Sequence, residues 1–212
     1  MNKQKELDRY ILDHIEPQDQ VLRDLYRETY LKVAGARMIS GHLQGLVLTM
    51  LSKMIQPERI LEVGTFTGYS AICLARGLKD GGKLITIEMD DELEPLAGKY
   101  IIKAGLDGKI TRLIGFAMEI LPSLNETFDL VFLDADKREY PGYYALVFDK
   151  VRSGGYIFAD NTLWNGKVTE PLVPGDEQTF GIRTFNTLVK NDSRVEKVIL
   201  PLRDGLTIIR KK

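Results

Sequence analysis

Between Arg59 and Asn161, five short apolar runs alternate with stretches each long enough for one helix, and this alternation constrains the fold more than any other feature of the chain. The runs are RILEVG (59–64), KLITIEM (83–89), KITRLIG (109–115), FDLVFLDA (128–135) and GYIFADN (155–161). Continuous apolar strands separated by helices indicate a parallel sheet covered on both faces. The end of the chain departs from this pattern. VEKVILP (195–201) and GLTIIRK (205–211) are joined by a turn at Arg203-Asp204-Gly205. So tight a connection makes an antiparallel pair. The predicted core, over residues 56–212, is therefore a mostly parallel seven-stranded sheet closing on an antiparallel hairpin.

Residues 1–55 read as a helical cap. Leu7, Tyr10, Ile11 and Ile15 follow helical spacing, and Pro17 suits the first turn of a second helix. A third helix is predicted from about Gly41 to Ile55, with Ser40 as its N-cap. The 212 residues suit one domain, 44% of them are hydrophobic, and the formal net charge is −1. That charge supplies no overall basic field for nucleic acid or anionic lipid. Cys73 is the one cysteine, so no intrachain disulfide forms. The first residues, MNKQKELDRYILDHIEPQ, lack an apolar signal region, and no run of about 18 apolar residues occurs. A cytoplasmic soluble protein is the expectation.

In open α/β sheets ligands sit beyond the carboxyl ends of the strands. The first strand leads into Glu62-Val63-Gly64-Thr65-Phe66-Thr67-Gly68-Tyr69-Ser70. Gly64 and Gly68 permit a tight turn and close approach by a ligand. The dinucleotide pattern G-x-G-x-x-G is absent, and Glu62 stands where its first glycine would be. A carboxylate there repels a pyrophosphate and suits a cationic ligand, such as the amino group or sulfonium of S-adenosylmethionine. Glu88, followed by Met89, ends the second strand, where a carboxylate can accept from both ribose hydroxyls. Met89 and Met118 are candidates for an adenine slot, although Met is also a common gap-filler.

The fourth strand ends in Leu133-Asp134-Ala135-Asp136-Lys137 and the fifth in Ala159-Asp160-Asn161. If these strands are neighbours, Asp134, Asp160 and Asn161 converge. Oxygen donors without His or Cys make a hard site, suited to Mg²⁺, Mn²⁺ or Ca²⁺ rather than Zn²⁺. The plainer reading, that Asp160-Asn161 caps a turn, leaves the Asp134–Asp136 cluster unexplained.

The segments LDADK, ADNTLWNGKV, IRTFN and LPLRDGLTI resemble the cation-dependent class I O-methyltransferases, which include catechol and caffeoyl-CoA O-methyltransferases. The resemblance runs from about residue 36 to 210. It implies a Rossmann-like class I methyltransferase fold, with S-adenosylmethionine as methyl donor and a divalent cation held by Asp134, Asp160 and Asn161. It implies cofactor contacts from Glu62, Gly64, Thr65, Ser70, Glu88, Ala117, Asp134 and Asp136, with Met38 and Ser40 reaching over the cofactor. Asn165 falls on the substrate side. Lys137, paired with Asp134 in catalysis, matches the lysine that takes the proton from the acceptor. Trp164, three residues after Asn161, is read as a wall for a flat substrate ring or as a core aromatic.

The expected acceptor is a catechol-type small molecule, because no counterpart of the plant enzymes' CoA-recognition lysine is found in Met1–Arg23. A hydroxylated tRNA uridine is the alternative, served by a basic face of Lys3, Lys5, Arg9, Arg23, Arg27, Lys32 and Arg37, although acidic residues are mixed among them. A degenerate module that binds cofactor without turnover is a further alternative, disfavoured because every expected position holds a competent residue. A homodimer built on the apolar N-terminal helices is also expected. Thr169–Phe180 is read as a lid or a connector. Cys73, His14 and His42 are assigned no functional role.

Overall fold

The structure, a computed structural model, describes residues 3–212. Three helices come first: α1 (Lys3–His14), α2 (Gln20–Lys32) and α3 (His42–Ile55). Pro17 lies outside α2; Asp19 caps that helix, its side chain accepting from Leu22 N at 3.1 Å. A carboxylate at this position satisfies an amide that the helix leaves free, which is why Asp19 rather than Pro17 sets the start. The Ser40 cap is likewise corrected. Gly41, at φ 80°, occupies the N-cap of α3 and makes no side-chain cap bond, while Ser40 is buried one residue earlier.

The remaining chain alternates as β1 (Arg59–Val63), α4 (Tyr69–Ala75), β2 (Lys83–Glu88), α5 (Glu94–Lys103), β3 (Ile110–Ile114), α6 (Ala117–Ser123), β4 (Phe128–Leu133), α7 (Tyr140–Phe148), β5 (Val151–Asp160), α8 (Glu177–Asn191), β6 (Val195–Leu200) and β7 (Leu206–Lys211). The seven strands form one sheet in the order β3-β2-β1-β4-β5-β7-β6. Strands β1 to β5 pair in parallel, and β7 runs antiparallel to both β5 and β6. The predicted sheet and closing hairpin are present. β5 begins earlier than its apolar run, because Val151 already pairs with Phe128 ahead of a register shift in β4.

Successive side chains of a strand point to opposite faces. Leu61, Val63, Val131, Leu133, Ile157 and Ile209 pack towards Tyr140, Val147, Ile182 and Phe185 of α7 and α8. Ile60, Leu84, Leu130, Phe132 and Phe158 face Leu22, Leu25, Leu48, Ile72 and Tyr100 of the other helices. The same alternation puts Glu62, Thr86 and Asp160 on this second face, under α3 and α4. The strand order reverses between β1 and β4, so their carboxyl ends open the crevice where a ligand belongs. Among the described residues no helix is long and apolar enough to cross a membrane.

Candidate active site

At the carboxyl ends of β1 and β2, Glu62 is fully buried. Its Oε2 accepts from Thr86 Oγ1 at 2.5 Å, and Thr86 Oγ1 lies 2.5 Å from Thr65 Oγ1. Glu62 Oε1 has no partner. Burial, with the nearby Asp134 and Glu88 charges adding to it, pushes the Glu62 carboxyl up to about 8. Glu88 closes the adjoining loop. Its Oε2 accepts from Phe66 N at 2.6 Å, and its Oε1 accepts from Met89 N at 2.9 Å and Asp90 N at 3.1 Å. Gly64 (φ 101°) makes the expected tight turn, and a Cβ there would also run into the backbone carbonyl of Asp134. Its missing side chain lets the β1 and β4 loops touch, and Asp134 N donates to Val63 O at 2.8 Å across them.

The ends of β4 and β5 carry the second group. Asp160 is buried; its Oδ2 accepts from Gln44 Nε2 at 2.6 Å, and its Oδ1 has no partner. Burial, then the neighbouring Asp134 charge, pushes the Asp160 carboxyl up to about 7. Lys137 is also buried, with Nζ donating to Asp134 Oδ1 at 2.9 Å and to Tyr140 Oη at 2.7 Å. The Tyr140 hydroxyl in turn lies 2.9 Å from Leu133 O and 3.0 Å from Asp160 O, bridging the two strand ends. Gln178 of α8 steadies the turn that carries the lysine, accepting from Lys137 N at 3.0 Å. Gly181 permits this packing, since a Cβ there would meet the Lys137 carbonyl.

Among the described residues, Glu62 Oε1 and Asp160 Oδ1 are the two buried side-chain polar atoms without a partner. A buried polar atom is ordinarily bonded, so each of these can take a further partner from outside the chain. Both stand near the carboxyl ends of strands on one face of the sheet, Glu62 on β1 and Asp160 on β5, with β4 between them. Also among the described residues, no three His, Cys, Asp or Glu side chains are grouped to hold a metal. The oxygen donors available at β4 and β5 are two carboxylates and the Asn161 amide, whose backbone is left-handed at φ 58°.

The other predicted residues spread around this edge. Ser70 and Thr65 are buried beside Glu62, and Ala117 starts α6. Met38 and Met89 are exposed. Asp136 is engaged by its own neighbours: Arg138 and Gln178 donate to it, and Arg138 holds its carboxyl below the usual range. Trp164 is half-buried, packed on the α7–α8 side of the core, with left-handed backbone at φ 48°. Asn165 is exposed, and its backbone amide donates to Asp204. Cys73 is buried, with its thiol pushed up to about 12 by desolvation, which agrees with a core role. His14 and His42 contact the carbonyls of Tyr10 and Glu16. In the proposed basic face, Arg9 pairs with Asp13 and Lys32 with Glu28.

Sequence reasoning missed Thr86, Tyr140, Gln178, Gln44 and Arg203. Thr86 lies inside an apolar run and Gln44 inside an apolar helix; only strand register and helix packing show which way each points.

A family model described as O-methyltransferase matches residues 13–212. The chain belongs to this O-methyltransferase family. It is 35% identical over 214 residues to a caffeoyl-CoA O-methyltransferase of Petroselinum crispum, covering 95% of this chain and 89% of that one. The structure resembles the O-methyltransferase TomG of Streptomyces achromogenes, solved with SAM, at a TM-score of 0.92 and 30% identity, covering 100% of this chain and 99% of that one. It also resembles an O-methyltransferase of Bacillus cereus, solved with SAH, at a TM-score of 0.90 and 29% identity, covering 98% and 97% of the two chains.

Proposed function

We propose that this protein transfers a methyl group from S-adenosylmethionine to a phenolic oxygen of a vicinal diol, with the help of a divalent cation. The observation that carries the reading is the pair of unpartnered buried carboxylate oxygens, one at each half of the crevice. Glu62 Oε1 fits an ammonium group such as the amino group of the methyl donor. Glu88 Oε2, which accepts from one backbone amide, retains a lone pair for a ribose hydroxyl, while Oε1 already accepts from two. The relatives solved with SAM and SAH support the same donor.

Asp160 Oδ1, Asp134 and Asn161 form a hard-oxygen donor set that fits Mg²⁺ or Mn²⁺. The chemistry such a cation supplies is acidification of a phenolic hydroxyl, whose ordinary pKa is about 10. Lys137, held at a fixed position by Asp134 and Tyr140, receives the acceptor's proton at Nζ once its own proton is released. The acceptor oxygen then attacks the sulfonium methyl in line, forming C–O as C–S breaks and leaving neutral S-adenosylhomocysteine. The chain's contribution is to hold the two reactants in register and to keep water from the methyl group. Trp164 and Asn165 border the acceptor.

The test is methyl transfer with Mg²⁺ to small catechols, caffeoyl-CoA and undermethylated tRNA, each repeated in EDTA. Magnesium-dependent methylation of a small catechol is expected; turnover unaffected by EDTA overturns the metal reading. The Petroselinum relative makes the CoA ester the second acceptor to try. Leu7, Tyr10 and Leu12 of α1 are exposed apolar side chains that suit burial in a homodimer, which light scattering on the purified chain checks.

A further inference from the structure

Asp160 is reached by a relay that belongs neither to its own strand nor to the catalytic turn. Gln44 of α3 is almost fully buried, at 1% relative exposure. Its Nε2 donates to Asp160 Oδ2 at 2.6 Å, and its Oε1 accepts from Arg203 Nη1 at 2.7 Å. Arg203 stands in the turn between β6 and β7, with left-handed backbone at φ 50°. The same Nη1 reaches Ile39 O at 3.1 Å and also donates to the carbonyl of Ser40.

The chemistry of the ends fixes the polarity of the middle. A guanidinium only donates, so the Gln44 atom facing it is the carbonyl oxygen. The amide nitrogen must then face Asp160. With Oδ2 taken by that N–H, the carboxylate's free oxygen is Oδ1, the atom left unpartnered in the site. Reversing the Gln44 amide would set its oxygen against the carboxylate and its nitrogen against the guanidinium, unfavourable at both contacts.

We infer that Gln44 and Arg203 are positioning residues that hold Asp160 in the rotamer offering Oδ1 to a divalent cation. This rests on the cation reading of the previous subsection and extends it to two residues from opposite ends of the chain. Neither touches the reacting atoms. Partners behind a metal ligand orient it, and losing one commonly weakens the metal about 10- to 100-fold.

The experiment is Mn²⁺ binding, followed by the loss of free-ion electron paramagnetic resonance signal, on the wild-type protein and on Gln44→Met, Arg203→Lys and Asp160→Ala. SAH affinity and thermal midpoint are measured on each. Gln44→Met keeps the side-chain length and removes both hydrogen bonds. Arg203→Lys keeps the charge but replaces the planar guanidinium, whose Nη1 faces Gln44 Oε1, with an ammonium of different reach and geometry. Gln44→Met is expected to weaken Mn²⁺ binding by about 10-fold or more, and Arg203→Lys by a smaller factor, with SAH affinity unchanged in Gln44→Met. Wild-type Mn²⁺ affinity in Gln44→Met, alongside loss of binding in Asp160→Ala, overturns the positioning role and leaves the cation reading standing. Joint loss of SAH and Mn²⁺ in both relay variants also overturns it, as a packing defect. A wild-type protein that binds no Mn²⁺ removes the cation reading, and this proposal with it.

Discussion

The two halves of the crevice start from the same ingredient and end differently. Each contains a buried carboxylate with one oxygen unpartnered, Glu62 at β1 and Asp160 at β5. Around Glu62 the neighbours are neutral hydroxyls, Thr86 and, behind it, Thr65. Around Asp160 the chain supplies an amide from Gln44, and next to it a buried lysine already bonded to Asp134. A carboxyl lined by hydroxyls lacks a compensating positive charge, so without a ligand burial keeps it protonated, and a cationic ligand would favour its ionised form. The Asp134–Asp160 pair has Lys137 beside it, so a cation arriving there meets two carboxylates and one ammonium. On the proposed function, the first half receives the charged group of the methyl donor. On the same reading, the second half carries the proton and cation chemistry.

The largest effects are expected where the second half is broken. Asp160→Ala should lower methyl transfer by more than about 100-fold, since even partners behind a metal ligand contribute up to that factor. SAH affinity, set by the other half, should stay near wild type. Titration calorimetry with SAH beside a turnover assay checks both, and full activity in EDTA would refute the division of labour. Lys137→Met should lower kcat about 100- to 10,000-fold, the range for a positioned proton acceptor, again with little change in SAH binding. Equal loss of SAH affinity in either variant would merge the two halves into one site.

Glu62→Gln probes the first half and should give the reverse split. Losing a hydrogen bond between charged groups costs about 1.5–3 kcal/mol, so SAH affinity should fall about 10- to 150-fold. The pH dependence of stability offers an independent check. Burial holds the Glu62 carboxyl up at about 8 against an ordinary 4.5. Between those values the ligand-free folded protein keeps a proton that the unfolded chain has released. The unfolded state therefore binds fewer protons, and stability falls as pH rises through that window. Below it the group is protonated in both states and costs nothing. Urea midpoints measured from pH 5 to pH 8 should decline less steeply in Glu62→Gln than in wild type. Asp160, held up at about 7, accounts for part of the decline that remains.

The contrast between the halves was only partly legible in the chain. The sheet was, because strand periodicity and the tight Arg203-Asp204-Gly205 turn are local signals. Glu62, Glu88, Asp134 and Asp160 were also legible, because the ends of parallel strands are where such folds place ligands. The partners that make the halves different were not. Thr86 contacts Glu62 because β1 and β2 pair in one register. Gln44 contacts Asp160 because α3 lies over that face of the sheet, and no spacing in 42–55 marks the inward turn. Nor does spacing show that Gly64 also admits the backbone of the chain's own Asp134 loop. Helix starts failed for a related reason: Ser40 and Pro17 have suitable chemistry, but Gly41 and Asp19 hold the required backbone positions.

Thr86→Val makes the smallest and most discriminating change. Valine keeps the β-branched shape suited to a central strand and deletes one hydroxyl. That hydroxyl is the partner of Glu62 Oε2 and the neighbour of Thr65, so its loss removes the hydrogen bond that Oε2 accepts. A single hydrogen bond is worth about 1 kcal/mol, so SAH affinity should fall about fivefold. Stability of the ligand-free protein should fall by a similar free energy at pH 8, where the carboxylate begins to ionise, and by less at pH 5, where it carries its own proton. Turnover at saturating methyl donor should be unchanged, because Thr86 does not contact Lys137 or Asp160. If Thr86→Val instead slows turnover as strongly as it weakens SAH, the hydroxyl chain is transmitting orientation across the crevice, and the two halves are one coupled network.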